Sequence, residues 1–163
     1  MAIAPAAGTK FYISTLPVTD TNPDTIGEFG ALSWVEVKEV ETIGDYGDEA
    51  NLIPFASLSD GRVRKQKGAR DAGTLALVCG ADPTDPGQLL MITAEASEYQ
   101  YAFRIIINDS QSVAMSDSIH YFRGLVGSKR LGIGGVDNIP RRTFNIGITS
   151  AIYEIPAATI VTT

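Results

Sequence analysis

Histidine and cysteine, the residues behind much acid–base, nucleophilic and metal chemistry, are nearly missing from this 163-residue chain. It has one of each, Cys79 and His120. A lone cysteine excludes an intramolecular disulfide, so nothing in the chain calls for an oxidising compartment. A zinc site lacks its ligands, and no carboxylate run has calcium-loop spacing. There is no Gly-x-Ser-x-Gly elbow and no Gly-Lys-Ser/Thr phosphate loop. "GSKRLGIGG" (127–135) is rich in glycine, but Val136 and "DNIP" follow it rather than a helix, so it reads as a hairpin loop. No apolar run approaches the roughly 20 residues that span a bilayer. "MAIAPAAGTK" has neither the basic region nor the apolar stretch of a signal peptide. Together these absences predict a protein made in a reducing cytoplasm, without catalytic activity, metal or cofactor. His120 reads as a half-buried strand histidine, and Cys79, ending an apolar run, as a packed and inert thiol. A Cys79–His120 dyad would need the fold to bring the two together.

Turn formers and strand formers are plentiful. Sixteen glycines and eight prolines punctuate a chain that is 44% hydrophobic, which suits one domain over 1–163 with a core of its own. Strand patterns occur at "KFYIST" (10–15), "WVEVKEVETI" (34–43), "GTLALVCG" (73–80), "EYQYAFRIIIND" (98–109) and "SIHYFRGLVGS" (118–128). "RRTFNIGITSAIYEI" (141–155) reads as one long strand or two. The apolar run 73–80 suggests a central, covered strand. Tyr99, Tyr101, Phe103, Ile105 and Ile107 share one side of the strand at 98–109. Alternation slips in 34–43, where Val35 and Val37 share a face with Glu39 and Glu41, and a one-residue bulge near Lys38 would repair it. One helix is expected, capped by Thr84 or Asp85, with Pro86 in its first turn and a stripe of Leu89, Leu90, Ile92, Ala94 and Ala96 before it ends near Ser97. The fold class is therefore mainly β: a β-sandwich or open barrel of about six to eight strands with one flanking helix. Residues 1–9 and 156–163 read as arms.

Charge is segregated along the chain, although its net value is −6. Residues 20–59 hold nine carboxylates against a single Lys38, and then Arg62, Arg64, Lys65, Lys67 and Arg70 crowd into nine positions. This basic stretch is the return strand of an expected ribbon at 44–73, turned at Asp60-Gly61. With Arg62, Arg64 and Gln66 on one face and Val63, Lys65 and Lys67 on the other, neither face of that strand is apolar. A two-stranded ribbon of this kind is marginal alone and is expected to project and await a partner. Three readings fit: a solvated hairpin, a nucleic-acid surface, or an association surface in which the ribbon of one copy meets an acidic patch of the next. Nucleic-acid binding would want interleaved aromatics, and 59–70 has none.

The order of these pieces resembles the tail tube (major tail) proteins of long, non-contractile-tailed bacteriophages (siphophages). "WVEVKEVETIGDYG", the ribbon "GRVRKQKGARDAGT", "DPTDPGQ" opening a helix, "YAFRI" and "GLVGSKR…RRTFNIGI" carry the resemblance, which runs from about 11 to 155. It implies a structural subunit that self-assembles into stacked hexameric rings, forming a virion tail tube that conducts double-stranded DNA. Implied partners are further copies of the chain, the tape-measure protein and the tail-tip or terminator proteins, with no membrane span and no tight grip on the passing DNA. The long ribbon would lie on neighbouring subunits. Asp45, Asp48 and Glu49 are candidate partners for Arg62, Arg64, Lys65, Lys67 and Arg70 of another copy. Glu36, Glu39 and Glu41 are the candidates for a lumen-facing acidic surface. The alternative is a nucleic-acid-binding accessory domain using the basic segment 62–70.

Overall fold

The first strand, β1 (Lys10–Ser14), alternates as its sequence implies and buries Phe11 and Ile13 completely. Around it, in a computed structural model that describes residues 3–158, lie nine further strands and two helices. In chain order these are α1 (Ile26–Gly30), β2 (Trp34–Val37), β3 (Val40–Ile43), β4 (Glu49–Ala56), β5 (Val63–Asp71), β6 (Thr74–Gly80), α2 (Pro86–Ala96), β7 (Tyr101–Ile107), β8 (Ser118–Gly132), β9 (Arg141–Ile148) and β10 (Tyr153–Ile155). Eight strands form one antiparallel sheet of order β2-β1-β7-β8-β9-β6-β3, with β10 beside the start of β8, and β4-β5 form a separate pair. The fold is thus mainly β, as expected, with more strands and one more helix than the sequence patterns suggested. The N-terminal arm is described from Ile3. Of the C-terminal arm, 159–163 lie outside the described residues.

The segment 34–43 explains the sheet's shape. Its slipped alternation marks a corner rather than a simple bulge: β2 ends at Val37 on one edge of the sheet, and β3 starts at Val40 on the other. Six inter-strand spacings would hold flat edges about 29 Å apart, yet three Cα steps reach at most about 11 Å. The sheet therefore curls into a barrel that stays open. At the corner Glu39 takes a left-handed backbone (φ 60°), which L-residues adopt only at a cost. A register shift between Val40 and Thr42 in the β3–β6 pairing adds to the bend.

Helix α2 begins where the sequence placed it. The Asp85 side chain caps it by accepting from the amides of Gly87 and Gln88, and Pro86 opens the first turn. The expected stripe is wrong in detail. Gln88, Met91 and Ala94 are buried, whereas Leu89 is half exposed. The buried side is chosen by what the helix start must satisfy. Asp85 Oδ2 accepts from Lys38 N at 2.9 Å, and Gln88 Nε2 donates to the carbonyls of Lys38 (3.1 Å) and Gly80 (2.8 Å). Gln88 Oε1 accepts from Asp82 N at 3.1 Å. The helix start thus supplies hydrogen bonds to the backbone of the corner. Gly87 permits this approach, since a Cβ there would lie 2.2 Å from the Glu36 carbonyl oxygen.

The main core joins Phe11, Ile13, Leu75, Leu77, Phe103, Phe122, Phe144 and Ile146, all fully buried, to Met91 of α2. A second cluster covers the opposite face of the middle strands, where Phe29 of α1 stacks on Tyr121 at 5.2 Å and packs on Tyr153. This makes β7 and the first half of β8, rather than β6, the strands covered on both faces. Tyr101, Phe103 and Ile105 enter the main core, while Ala102 lies under Phe29. Ala76 and Val78 on the outer face of β6 are only half-buried, because β6 lies next to the edge strand β3. Tyr99 falls outside β7 and is exposed.

The glycine-rich stretch 127–135 is mostly strand. β8 continues to Gly132 and pairs with β9 from Gly124 onward, with a register shift at Gly127, so the loop is shifted to 133–140. The long pattern at 141–155 resolves into two strands, β9 and β10. Between them Ser150 Oγ accepts from Arg123 N at 2.8 Å, and a side chain takes the place of a ladder bond.

Candidate assembly surface

Strands β4 and β5 pair only with each other and run from Glu49↔Asp71 at the root to Ala56↔Val63 near the tip. Asp60-Gly61 lies in the turn as its sequence predicts, but the connection spans six residues, 57–62, so β5 starts at Val63 and Arg62 lies outside it. Gly61 adopts φ +64°, its amide donates to Ser57 O, and Asp60 accepts from the amide of Arg62 and from Arg64 Nη2. These hydrogen bonds, that from Arg62 first, hold the Asp60 carboxyl below the usual carboxylate range. Lower in the ribbon the register shifts between Ala50 and Leu52, and Ile53 packs over Gly68, where a Cβ would meet its Cδ1 at 2.9 Å. Such a bulge increases the right-handed twist of a hairpin.

The ribbon as a whole is not polar on both faces. Ile53 and Phe55 stand beside Gln66 and Arg64 on one face, while Leu52, Pro54 and Ala56 stand beside Lys67, Lys65 and Val63 on the other. Each face is apolar along β4 and, for the most part, cationic along β5. Leu52, Ile53, Phe55, Leu58 and Val63 are all at least half exposed, Leu58 completely. The one ion pair formed within the ribbon is Arg64–Asp60 at 2.7 Å. Among the described residues Arg62, Lys65, Lys67 and Arg70 form none. The apolar half was legible in "NLIPFASL", but a cationic neighbour on the return strand conceals it when β5 is read by itself.

The acidic candidates fall in two places. Asp45, Asp48 and Glu49 are exposed at the ribbon root, where Asp48, Arg70 and Asp71 line one depression. Just before them Tyr46 anchors the root, with its hydroxyl 2.6 Å from His120 Nδ1 and its ring against Phe122. Burial first, then the Glu154 charge, pushes the Tyr46 phenol up to about 12. Glu36 lies on the sheet face opposite the main core, in one cross-strand row with Tyr12 and Arg104, whose guanidinium stacks on the Tyr12 ring at 4.1 Å. Glu39 is exposed at the corner. Glu41 is ion-paired with Arg141.

His120 and Cys79 are far apart. Cys79 lies opposite Arg142, which lies opposite Leu131 on β8, eleven residues beyond His120, a contour of about 36 Å. Cys79 is fully buried, donates to the Arg142 carbonyl, and has its thiol pushed up to about 11 by burial. No group of three or more His, Cys, Asp or Glu residues able to hold a metal occurs among the described residues. No described helix is long and apolar enough to cross a membrane.

Neither a protein-family model nor a curated protein matches the chain by sequence. Solved structures do match. The tail tube of SPP1 superposes with a TM-score of 0.61 at 12% identity, covering 97% of this chain and 81% of that one. The sheath/tube terminator of the PVC extracellular contractile injection system gives 0.66 at 9%, covering 94% and 96%. A chain of the anti-feeding prophage baseplate gives 0.62 at 11%, covering 94% and 97%. At such identities the likeness speaks for fold. With nearly its whole length superposed on these structures, the chain has the fold of tail tube proteins.

Proposed function

We propose that the chain is a structural, non-catalytic subunit that self-assembles into stacked, hexameric rings, the wall of a phage tail tube that conducts DNA. The observation that carries this reading is the ribbon. Five large apolar side chains and four cations without ion pairs stand on two strands and the turn that joins them, which pair with no other strand of their own domain. Burial against another copy relieves this exposure, because a patch both apolar and charged fits a partner with an apolar floor and acidic edges. Further support comes from the likenesses to the SPP1 tail tube and to a baseplate solved with six-fold symmetry.

In this reading the product is a virion tail component synthesised in the bacterial cytoplasm, with tape-measure and terminator proteins as its other partners. The root acids Asp45, Asp48 and Glu49 are contact residues beside the ribbon cations. Glu36 and Glu39, which form no ion pair among the described residues, face the passing duplex. Sedimentation velocity over a concentration series, followed by negative-stain microscopy, tests the proposal. Growth into rings or hollow tubes without nucleic acid is expected. A species that stays monomeric but binds labelled DNA with a steep salt slope would instead establish the nucleic-acid-binding alternative.

A further inference from the structure

At the far end of β6 from the ribbon, a second surface is left open. The start of α2, the loop at 81–83 and the end of the β8–β9 hairpin enclose a groove of about 250 Å³, with Pro83, Leu89, Ile92, Leu131, Ile133 and Pro140 in its lining. Leu89 and Leu131 are about half exposed, at 48% and 49%, and Ile133 is 63% exposed. Ile139 extends the apolar surface into an adjoining depression that also contains Glu39 and Asp82. Hydrogen bonds from Thr84 hold the Asp82 carboxyl below its usual range, so it is charged at neutral pH. Asp137 is exposed on the nearby loop, and Arg142 is the one cation of the groove lining.

This groove has an apolar floor with Asp82, Glu39 and Asp137 around it, beside the cations Arg142 and Lys38, whereas the ribbon has an apolar strand and a cationic one. The two are placed for contact between copies. The ribbon joins β6 at its Thr74 end and the groove opens past Gly80, so the length of the strand, about 20 Å, separates their attachment points. The chain's own ribbon does not cover its apolar side chains here, since Phe55 and Leu58 stay exposed. We infer that the groove receives the ribbon of a second copy, with Phe55 and its apolar neighbours over Leu131 and Ile133. Arg64, which shares the Phe55 face of the ribbon, then lies near Asp82 and Glu39. The contact is heterologous: each copy that offers a ribbon keeps its groove free for the next, so association can propagate around a ring or along a stack. This inference rests on the self-assembly reading and names the surface that the ribbon meets.

The test mixes two full-length variants, Phe55→Cys and Ile133→Cys, under mild oxidation at a concentration where the wild type assembles. Cys79 is fully buried and does not compete. Disulfide-linked pairs joining the two variants are expected to accumulate well above pairs of either variant with itself. In a second arm, Leu131→Asp with Ile133→Asp is expected to raise the concentration needed for assembly by at least about tenfold, while the thermal unfolding of the monomer stays that of the wild type. If the wild type assembles but Phe55→Cys shows no preference for Ile133→Cys and the aspartate variant assembles normally, the groove is not the receptor, and self-assembly still stands. A wild type that remains monomeric at every concentration overturns both.

Discussion

Gln88 shows how much one side chain can hold in place. It serves two carbonyls and one amide drawn from two separate segments, at residue 38 and at 80–82, where the sheet curls. Gln88→Ala removes all three bonds at a buried position. At about 1–3 kcal/mol for each polar group left unsatisfied, the loss of stability is expected to be about 3 kcal/mol or more, read as a lower urea midpoint with an unchanged slope. Cys79 makes a different prediction. Its thiol is raised from 9.0 to about 11, so the folded state favours the neutral form. The stabilisation is complete below pH 9 and is lost as pH rises from about 9 to about 11. At pH 8 the native protein is expected to resist an aromatic disulfide reagent, and unfolding in urea to release one reactive thiol. Fast reaction of the native form would contradict the burial described above.

Among the elements, α1 and the ribbon have opposite roles. The five residues of α1 deliver Phe29 to the outer face of β7 and β8. Its start follows a capping-box pattern, "TIGE". Thr25 Oγ1 accepts from Glu28 N, and Glu28 reaches back to the amide of Asp24, one residue further than in the usual box. Phe29→Ala is expected to destabilise the domain by about 3–5 kcal/mol, measured by urea unfolding, because a fully buried ring between Tyr121 and Tyr153 leaves a cavity. The ribbon contributes almost nothing to the core. Arg62→Glu, Lys65→Glu and Lys67→Glu together are therefore expected to leave a folded monomer with the wild-type unfolding midpoint. Assembly should fail or weaken sharply in the same sedimentation assay, since like charges facing each other across a contact cost several kcal/mol. An unfolded triple variant would show that the ribbon is part of the folded domain. Normal tubes would show that its charges are only solvated.

For the whole molecule, the consequence of interest is the wall of the proposed tube. A conduit for DNA must repel phosphates rather than hold them, because each neutralised phosphate releases counterions and adds affinity. Carboxylates act over a Debye length of roughly 8 Å at physiological salt, which keeps water between wall and duplex. Glu41 is a weaker candidate than its neighbours because Arg141 neutralises it, and Arg104 in the row of Glu36 reduces the negative field there. The sharper test is therefore Glu36→Lys with Glu39→Lys. Particles built from this variant are expected to assemble and to eject DNA slowly or incompletely. Ejection at the wild-type rate would remove the repulsion argument, and an assembled structure with both residues on the outer wall would remove the assignment.

The sequence alone determined what depends on neighbours along the chain. The Asp85 cap with Pro86, the Asp60-Gly61 turn, the alternation of β1 and β7 and the long basic strand all follow from spacings of a few residues, and all appear in the structure. The capping pattern of α1 was present as well, but five residues with one large apolar side chain leave almost no periodicity to read. Tertiary structure decided the rest. Whether 34–43 bulges or turns a corner depends on where β1 and β6 lie, because each half pairs with a different one of them. The buried side of α2 depends on backbone groups from residues 38, 80 and 82 that need partners, so polar Gln88 is buried and Leu89 is left half exposed. The groove joins residues from three stretches of chain more than fifty positions apart at the extremes. No local pattern encodes such a surface, because its apolar members come together only when the sheet curls and α2 closes over its corner.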